Sequence, residues 1–269
     1  MRRSVAVLAM TLLMSACGAL KDKGDETKDW SAQRLYTEAK RELDSGNYER
    51  AGKLFESLEA RYPFGRYAQQ AQLELAYAYY RDNEPAQSIA AADRFIKLHP
   101  NHPNVDYAYY LRGLANFQGD LGLFSFLSNQ ELSDRDPKAA RESFDAFKDM
   151  VTRFPTSKYA QDATERMSYL TNALAAHEIH VARYYYKRGA YLAAVNRAQS
   201  ALENYPQTPA LEEGLFITMK AYERMGLTDL RADAERVLKL NFPKSVFLTG
   251  NYDKVPWWQF WKTNRQVYN

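Results

Sequence analysis

The stretch RYPFGRYAQQA occupies residues 61–71, and a near copy, RFPTSKYAQDA, occupies residues 153–163. Each copy leaves a basic helix end, passes an aromatic–proline pair and enters a new run opened by a tyrosine and small residues. Self-similarity at such a distance is the mark of a repeated supersecondary unit.

Working outward from the two copies, the same stop appears five times. Pro63, Pro100, Pro155, Pro206 and Pro243 are each preceded by an aromatic or a histidine, at intervals of 37, 55, 51 and 37 residues. Proline shortly beyond a periodic apolar run ends a helix, and 37 residues hold two helices and their turns. The run LYTEAKRELDSGNYERAGKLFESLEARYP carries Ala39, Gly46, Tyr48, Ala51, Phe55 and Pro63; the second unit has Ala76, Tyr79, Ser88, Ala92, Phe95 and Pro100. HVARYYYKRGAYLAAVNRAQSALENYP repeats the layout with Ala182, Tyr185, Gly189, Tyr191, Ala194, Ala198, Ala201 and Pro206. Small residues let the two helices of a unit approach, and large ones fill the groove between units. The predicted fold is all-α, a tetratricopeptide-repeat superhelix of five helix–turn–helix units over 31–243. Such units cannot bury their apolar faces alone and must stack.

Two intervals exceed 37. The first excess falls at 116–135 (NFQGDLGLFSFLSNQELSDR), read as an insertion inside the third unit with an apolar cluster at Leu121, Leu123, Phe124, Phe126 and Leu127. Asp136 and Pro137 read as the N-cap and first residue of the following helix. The second excess predicts one long helix over about 158–188, roughly 46 Å at 1.5 Å per residue.

The chain begins as an export signal. Arg2 and Arg3 precede a mostly apolar run from Val5 to Met14, too short to span a bilayer, and Ser15-Ala16 leads to Cys17, the only cysteine. A lone cysteine there forms no internal disulfide. MSAC resembles the lipobox of bacterial lipoproteins, which implies cleavage after residue 16 and acylation of Cys17. Gly18, where aspartate would signal inner-membrane retention, implies the periplasmic face of the outer membrane. Residues 17–30 read as a polar tether with a root-mean-square reach of roughly 20 Å. Residues 244–269 form an aromatic extension in which Trp257, Trp258, Phe260 and Trp261 cap the last repeat, dock a partner or enter a membrane interface.

Chemistry is sparse. His177 and His180 are three positions apart, whereas a zinc-protease helix needs four, and His99 and His102 belong to another repeat. No phosphate loop, nucleophile elbow or free cysteine nucleophile is present, and the carboxylates read as solvation of helix faces. No catalytic residue, metal or cofactor is expected. The formal charge of +3 falls to +1 without Arg2 and Arg3, far from the footprint of a nucleic-acid binder, so no nucleic-acid partner is expected.

What remains is recognition by surface. The first helix of each unit lines the concave wall, which places Gln70, Leu73, Tyr77, Tyr80 and Arg81 there, then Tyr107, Tyr110, Leu114 and Phe117, with Tyr36 from the first unit. Tyrosine offers a large apolar face and a hydrogen-bonding tip at modest entropic cost, so this wall suits an extended or helical peptide with aromatic side chains. Packing between repeats is the competing role, above all for Tyr107 and Phe117.

RYPFGRYAQQAQLELAYAYY (61–80), DRFIKLHPNHPNVDYAYYLRGLANF (93–117), SDRDPKAARESF (133–144) and YYYKRGAYLAAVNRAQSAL (184–202) resemble the D-type lipoproteins of the outer-membrane β-barrel assembly machinery. The resemblance runs from Cys17 to about Pro243 and implies a scaffold without catalytic activity. The implied partners are the periplasmic domains of the central barrel subunit, the companion lipoproteins and unfolded outer-membrane proteins. The central subunit is expected on the C-terminal repeats, with Arg197 as a contact. Clients are expected on the N-terminal half. A lipoprotein pilotin for secretins and a repeat scaffold of envelope division share the repeats, but the first lacks the SDRDP insertion and the second an acylated cysteine.

Overall fold

The computed structural model describes residues 26–121 and 137–248. Among them the chain forms ten α-helices in five pairs. These are α1 (Ala32–Asp44) with α2 (Tyr48–Arg61), α3 (Arg66–Arg81) with α4 (Pro85–Leu98), α5 (Val105–Leu121) with α6 (Lys138–Arg153), α7 (Ala160–Lys187) with α8 (Tyr191–Asn204), and α9 (Ala210–Arg224) with α10 (Thr228–Asn241). Cys17, most of the insertion, Asp136 and the tryptophans of the tail lie outside the described residues.

The turns repeat as regularly as the sequence does. Inside a pair the first helix ends on a left-handed residue: Gly46, Asn83, Gly189 and Gly226 have φ between +62° and +86°. The following N–H groups close back five residues, Asn47 onto the Glu42 carbonyl, Glu84 onto Tyr79, Ala190 onto Tyr185 and Leu227 onto Tyr222, at 2.9–3.0 Å. This closure satisfies helix-end carbonyls that would otherwise be orphaned. Between pairs the ending is different. Tyr62, His99, Phe154, Tyr205 and Phe242 leave the helical region at φ near −130°, each still donating to the carbonyl four residues back. The proline that follows each one excludes the α conformation before it.

Each helix packs on its chain neighbours, and first helices also meet the next first helix: α1 with α3, α3 with α5 and α7 with α9. Second helices do not approach one another to that degree among the described residues, so the first helices form the inner wall of the curve. Three cores follow the array. Leu35, Phe55 and Leu58 centre the first; Phe95, Leu111, Phe147 and Met150 the second; Val195, Ile217 and Leu238 the third. The helix predicted over 158–188 runs from 160 to 187, and its two ends serve different cores, Leu170 and Leu174 the second, Ile179 and Ala182 the third. Close approach requires glycine at two crossings: a Cβ at Gly113 would meet the Phe147 ring at 2.5 Å, and one at Gly214 the Ile179 Cδ1 at 2.8 Å.

Two details differ from the sequence reading. Pro137 precedes the helix instead of opening it, because α6 starts at Lys138. The stretch read as tether through residue 30 is folded at its end, where Arg61 bonds to Thr27, the Tyr62 hydroxyl donates to the Trp30 carbonyl at 2.9 Å, and Trp30 packs on the first core. At the other end the extension begins by packing, with Phe247 stacked on Phe216 at 4.8 Å.

Candidate functional site

The stripe on α3 arises from spacing alone. Tyr67, Gln70, Glu74, Tyr77 and Arg81 recur every three or four residues and share one helix face. Gln70 and Arg81 are exposed, and Tyr77 and Tyr80 are half-buried, 6.4 Å apart. The Arg81 guanidinium donates to the Tyr77 hydroxyl at 2.7 Å and lies 4.6 Å above the Tyr48 ring and 5.7 Å from that of Tyr77. It is thus a cation held in place by two aromatic faces, with its remaining donors toward solvent.

At the N-terminal end of this stripe Tyr36 of α1 meets Tyr67 at 5.5 Å and Phe55 at 6.1 Å. Burial pushes the Tyr36 hydroxyl up to about 12, helped by the carboxylates of Glu74 and Asp44. Glu74 itself is paired with Lys40 at 3.3 Å. Leu73 lies with its neighbours in the second core and Leu114 in the same core, so both leave little surface for a ligand.

On α5 the residues Tyr107, Tyr110, Leu114 and Phe117 continue the wall. Tyr159, from the turn before α7, stacks on Tyr110 at 4.8 Å and 14° and packs on Tyr107 at 5.2 Å. Tyr110 donates to Asp162 at 2.5 Å, and Arg166 donates to the same carboxylate at 2.6 Å while covering the Phe117 ring at 5.2 Å. Tyr169 meets Phe117 edge-on at 5.9 Å. Burial, then Asp162, pushes the Tyr110 hydroxyl up to about 12. Tyr107 is raised further, chiefly by burial, with Tyr159 and Tyr77 next. Burial opposes ionisation of Asp162, but the Arg166 and Tyr110 hydrogen bonds outweigh it and hold the carboxyl below its ordinary value. These shifts extend to more alkaline pH the range over which the phenols stay protonated and able to donate.

The inner wall of units one to four is therefore a band of tyrosines with one clamped arginine at Arg81 and a second ionic knot at Asp162–Arg166. Arg197 stands apart, on α8. Its Nη1 pairs with Glu178 at 3.2 Å, and Arg141 of α6 reaches the other carboxylate oxygen at 3.4 Å. The Glu178 side chain is only 4% exposed. This corrects the reading of the carboxylates as uniformly solvating: one buried carboxylate holds two half-exposed guanidinium groups at the junction of α6, α7 and α8.

Sequence reasoning missed Tyr67, Tyr159, Asp162 and Arg166 as members of the wall. The signal was in the repeated phrase, where Tyr67 and Tyr159 occupy the same place.

The fold is that of an all-α helical-repeat protein with a tyrosine-lined inner wall. The chain belongs to the YfiO family of outer membrane lipoproteins, whose model matches residues 28–238. It is 50% identical over 266 residues to the outer membrane protein assembly factor BamD of Neisseria meningitidis strain Z2491, covering 97% of this chain and all of the relative. It is 37% identical over 235 residues to the protein of the same name from Vibrio cholerae, covering 87% of this chain and 96% of the relative. Among the described residues no helix is long and apolar enough to cross a membrane.

Proposed function

We propose that this chain is a non-catalytic scaffold of outer-membrane β-barrel assembly, acylated at Cys17 and held at the periplasmic face of the outer membrane. Its N-terminal units receive unfolded outer-membrane proteins, its C-terminal units hold the periplasmic domains of the central barrel subunit, and companion lipoproteins dock along its N-terminal half and near its C-terminal half. The names of the relatives support the assembly role. The observation that carries the client site is the clamped Arg81 beside Tyr77 and Tyr80, a fixed cation amid apolar rings with polar tips. That combination suits a peptide bearing aromatic side chains and a carboxylate. Arg197 and Arg141, held by Glu178, present a pre-oriented pair of guanidinium groups on the C-terminal half, in keeping with Arg197 as a contact for the central subunit.

Fluorescence anisotropy with a labelled peptide copied from the last strand of an outer-membrane barrel tests the client site. Replacing Arg81 by Ala is expected to weaken binding about tenfold, and Tyr77→Ala about as much, in line with single aromatic or arginine anchors worth one to two kcal/mol. Unchanged affinity in both variants, with unchanged circular dichroism, would remove the wall from the client site. Capture of the full-length lipoprotein from solubilised outer membranes tests the scaffold reading: a stoichiometric barrel protein with small lipoproteins is the expected yield, and a secretin or division proteins would refute it.

A further inference from the structure

The chain enters its folded body at a fixed point. Arg61 and Tyr62 bind Thr27 and Trp30, and the Arg34 guanidinium sits 4.3 Å above the Trp30 ring. Residues 27–30 are thereby fastened to the turn between α2 and α3. At that turn Phe64 is 91% exposed, the most exposed of the large apolar side chains among the described residues. Gly65 beside it takes φ +99°, and a Cβ built there meets nothing within 4 Å, so the turn stands clear of the body. The next turn between units presents Leu98, 54% exposed, which with Gln69 and residues 99–103 lines a cleft of about 400 Å³.

An exposed phenylalanine alone is unremarkable on a soluble surface. Its position relative to the anchor is what gives it meaning. The argument rests on the acylation of Cys17 proposed above. Nine residues, 18–26, then separate the lipid from Thr27. Covalent geometry limits their span to at most about 30 Å. The α2–α3 turn is thus the part of the described body fastened directly to the end of the anchor segment. Lys28, Arg34, Arg61 and Arg66 lie on the segments that meet at this turn, against Glu26 and Asp29, a local excess of two positive charges.

We propose that this turn is a second membrane contact, with Phe64 entering the boundary between headgroups and acyl chains and the basic residues lying at the level of the lipid phosphates. Phenylalanine and a basic rim are the chemistry of interfacial insertion. The acyl chains supply the affinity; Phe64 fixes the orientation of the superhelix and hence the direction in which its inner wall faces.

The test uses the full-length acylated chain. Cys17 is the only cysteine, and its thiol is consumed by acylation, so Phe64→Cys, Leu98→Cys and Leu240→Cys chains each take one environment-sensitive fluorophore. They are reconstituted in vesicles of phosphatidylethanolamine and phosphatidylglycerol. Labels at 64 and 98 are expected to brighten at least about twofold and to be quenched by brominated acyl chains, while the label at 240 on α10 stays aqueous. Adding Phe64→Asp to the Leu98→Cys chain should return that label to water. Labels at 64 and 98 as aqueous as at 240, with acyl chains on Cys17 verified by mass spectrometry, would overturn the membrane contact and leave the anchor intact. Absence of acyl chains would remove the anchor and the contact together. Shielding only when the companion proteins are added would assign Phe64 to a protein interface and overturn the proposal.

Discussion

The two copies of the repeated phrase fold alike and end differently. In both, the aromatic before the proline reaches back to the start of the pair it closes, Tyr62 to the Trp30 carbonyl ahead of α1 and Phe154 to the Tyr109 ring of α5 at 5.4 Å. In both, the following tyrosine packs against a tyrosine of the previous first helix, Tyr67 on Tyr36 and Tyr159 on Tyr110. Between these shared contacts the copies diverge. The second has Ser157, whose hydroxyl donates to Asp106 at 2.6 Å and accepts from the Tyr159 N–H at 3.2 Å, closing the turn onto α5. The first has Phe64-Gly65, with no such latch and an apolar ring in solvent. A turn serving only to stack units is closed by a cheap hydrogen bond. The open copy, fastened to residues 27–30, leaves its apolar ring in solvent, as the membrane contact proposed above requires.

The largest test of this comparison is removal of the shared tyrosines. Tyr159 joins two rings, one of them nearly parallel, whereas Tyr67 joins one at a tilt. At about 0.5–1.5 kcal/mol per aromatic pair plus lost burial, Tyr159→Ala should cost about 2–3 kcal/mol and Tyr67→Ala about 1. Urea unfolding followed by circular dichroism measures both, and equal losses would mean that the rings contribute by burial alone.

Exchanging the turns comes next. Ser157→Gly deletes a hydrogen bond to a carboxylate in a partly exposed site and should cost about 1.5 kcal/mol. Gly65→Ser installs the second copy's residue in the first. Its backbone, at φ +99° and ψ 176°, is territory that glycine occupies almost alone, and the strain of about 1 kcal/mol or more outweighs the few tenths that a serine cap returns to α3. Both exchanges should therefore destabilise. A neutral Gly65→Ser would show that the turn relaxes to a closed form, and with it Phe64 would lose its fixed projection.

The helix ends were legible in the sequence because a helix stops by local chemistry: a left-handed glycine or asparagine, or an aromatic before proline, acts within five residues. The partition of the wall was not. Leu73, Tyr77 and Tyr80 share one helical stripe, yet Leu73 is buried in the second core whereas Tyr77 and Tyr80 only pack against it and keep part of their surface exposed, since a stripe wide enough to pack two units also reaches the open side. Glu178 was illegible for a different reason. In HEIH it reads as one more solvated carboxylate; what buries it are Arg141 and Arg197, 37 and 19 positions away, on helices whose approach only the stacking fixes.

The smallest effect separates the two copies by pH. Tyr36 and Tyr110 both titrate at about 12 in the folded chain against 10.0 for the free phenol. A folded value raised above the unfolded one stabilises fully below the unfolded pKa, and the gain is lost as pH rises through the folded value. Each phenol should thus withdraw stability between about pH 10 and 12. Burial is the leading cause in both, but the next differs: a direct hydrogen bond to Asp162 for Tyr110, more distant carboxylates for Tyr36. Asp162→Asn should consequently bring the Tyr110 titration part of the way back toward 10, while Glu74→Gln moves Tyr36 less. Ultraviolet tyrosinate absorbance, with Tyr110→Phe and Tyr36→Phe chains to assign the two steps, reads the difference directly. Equal displacement by the two substitutions would place the second copy's polar closure at Ser157 alone, and would leave Asp162 as a partner of Arg166 with no hold on the tyrosine wall.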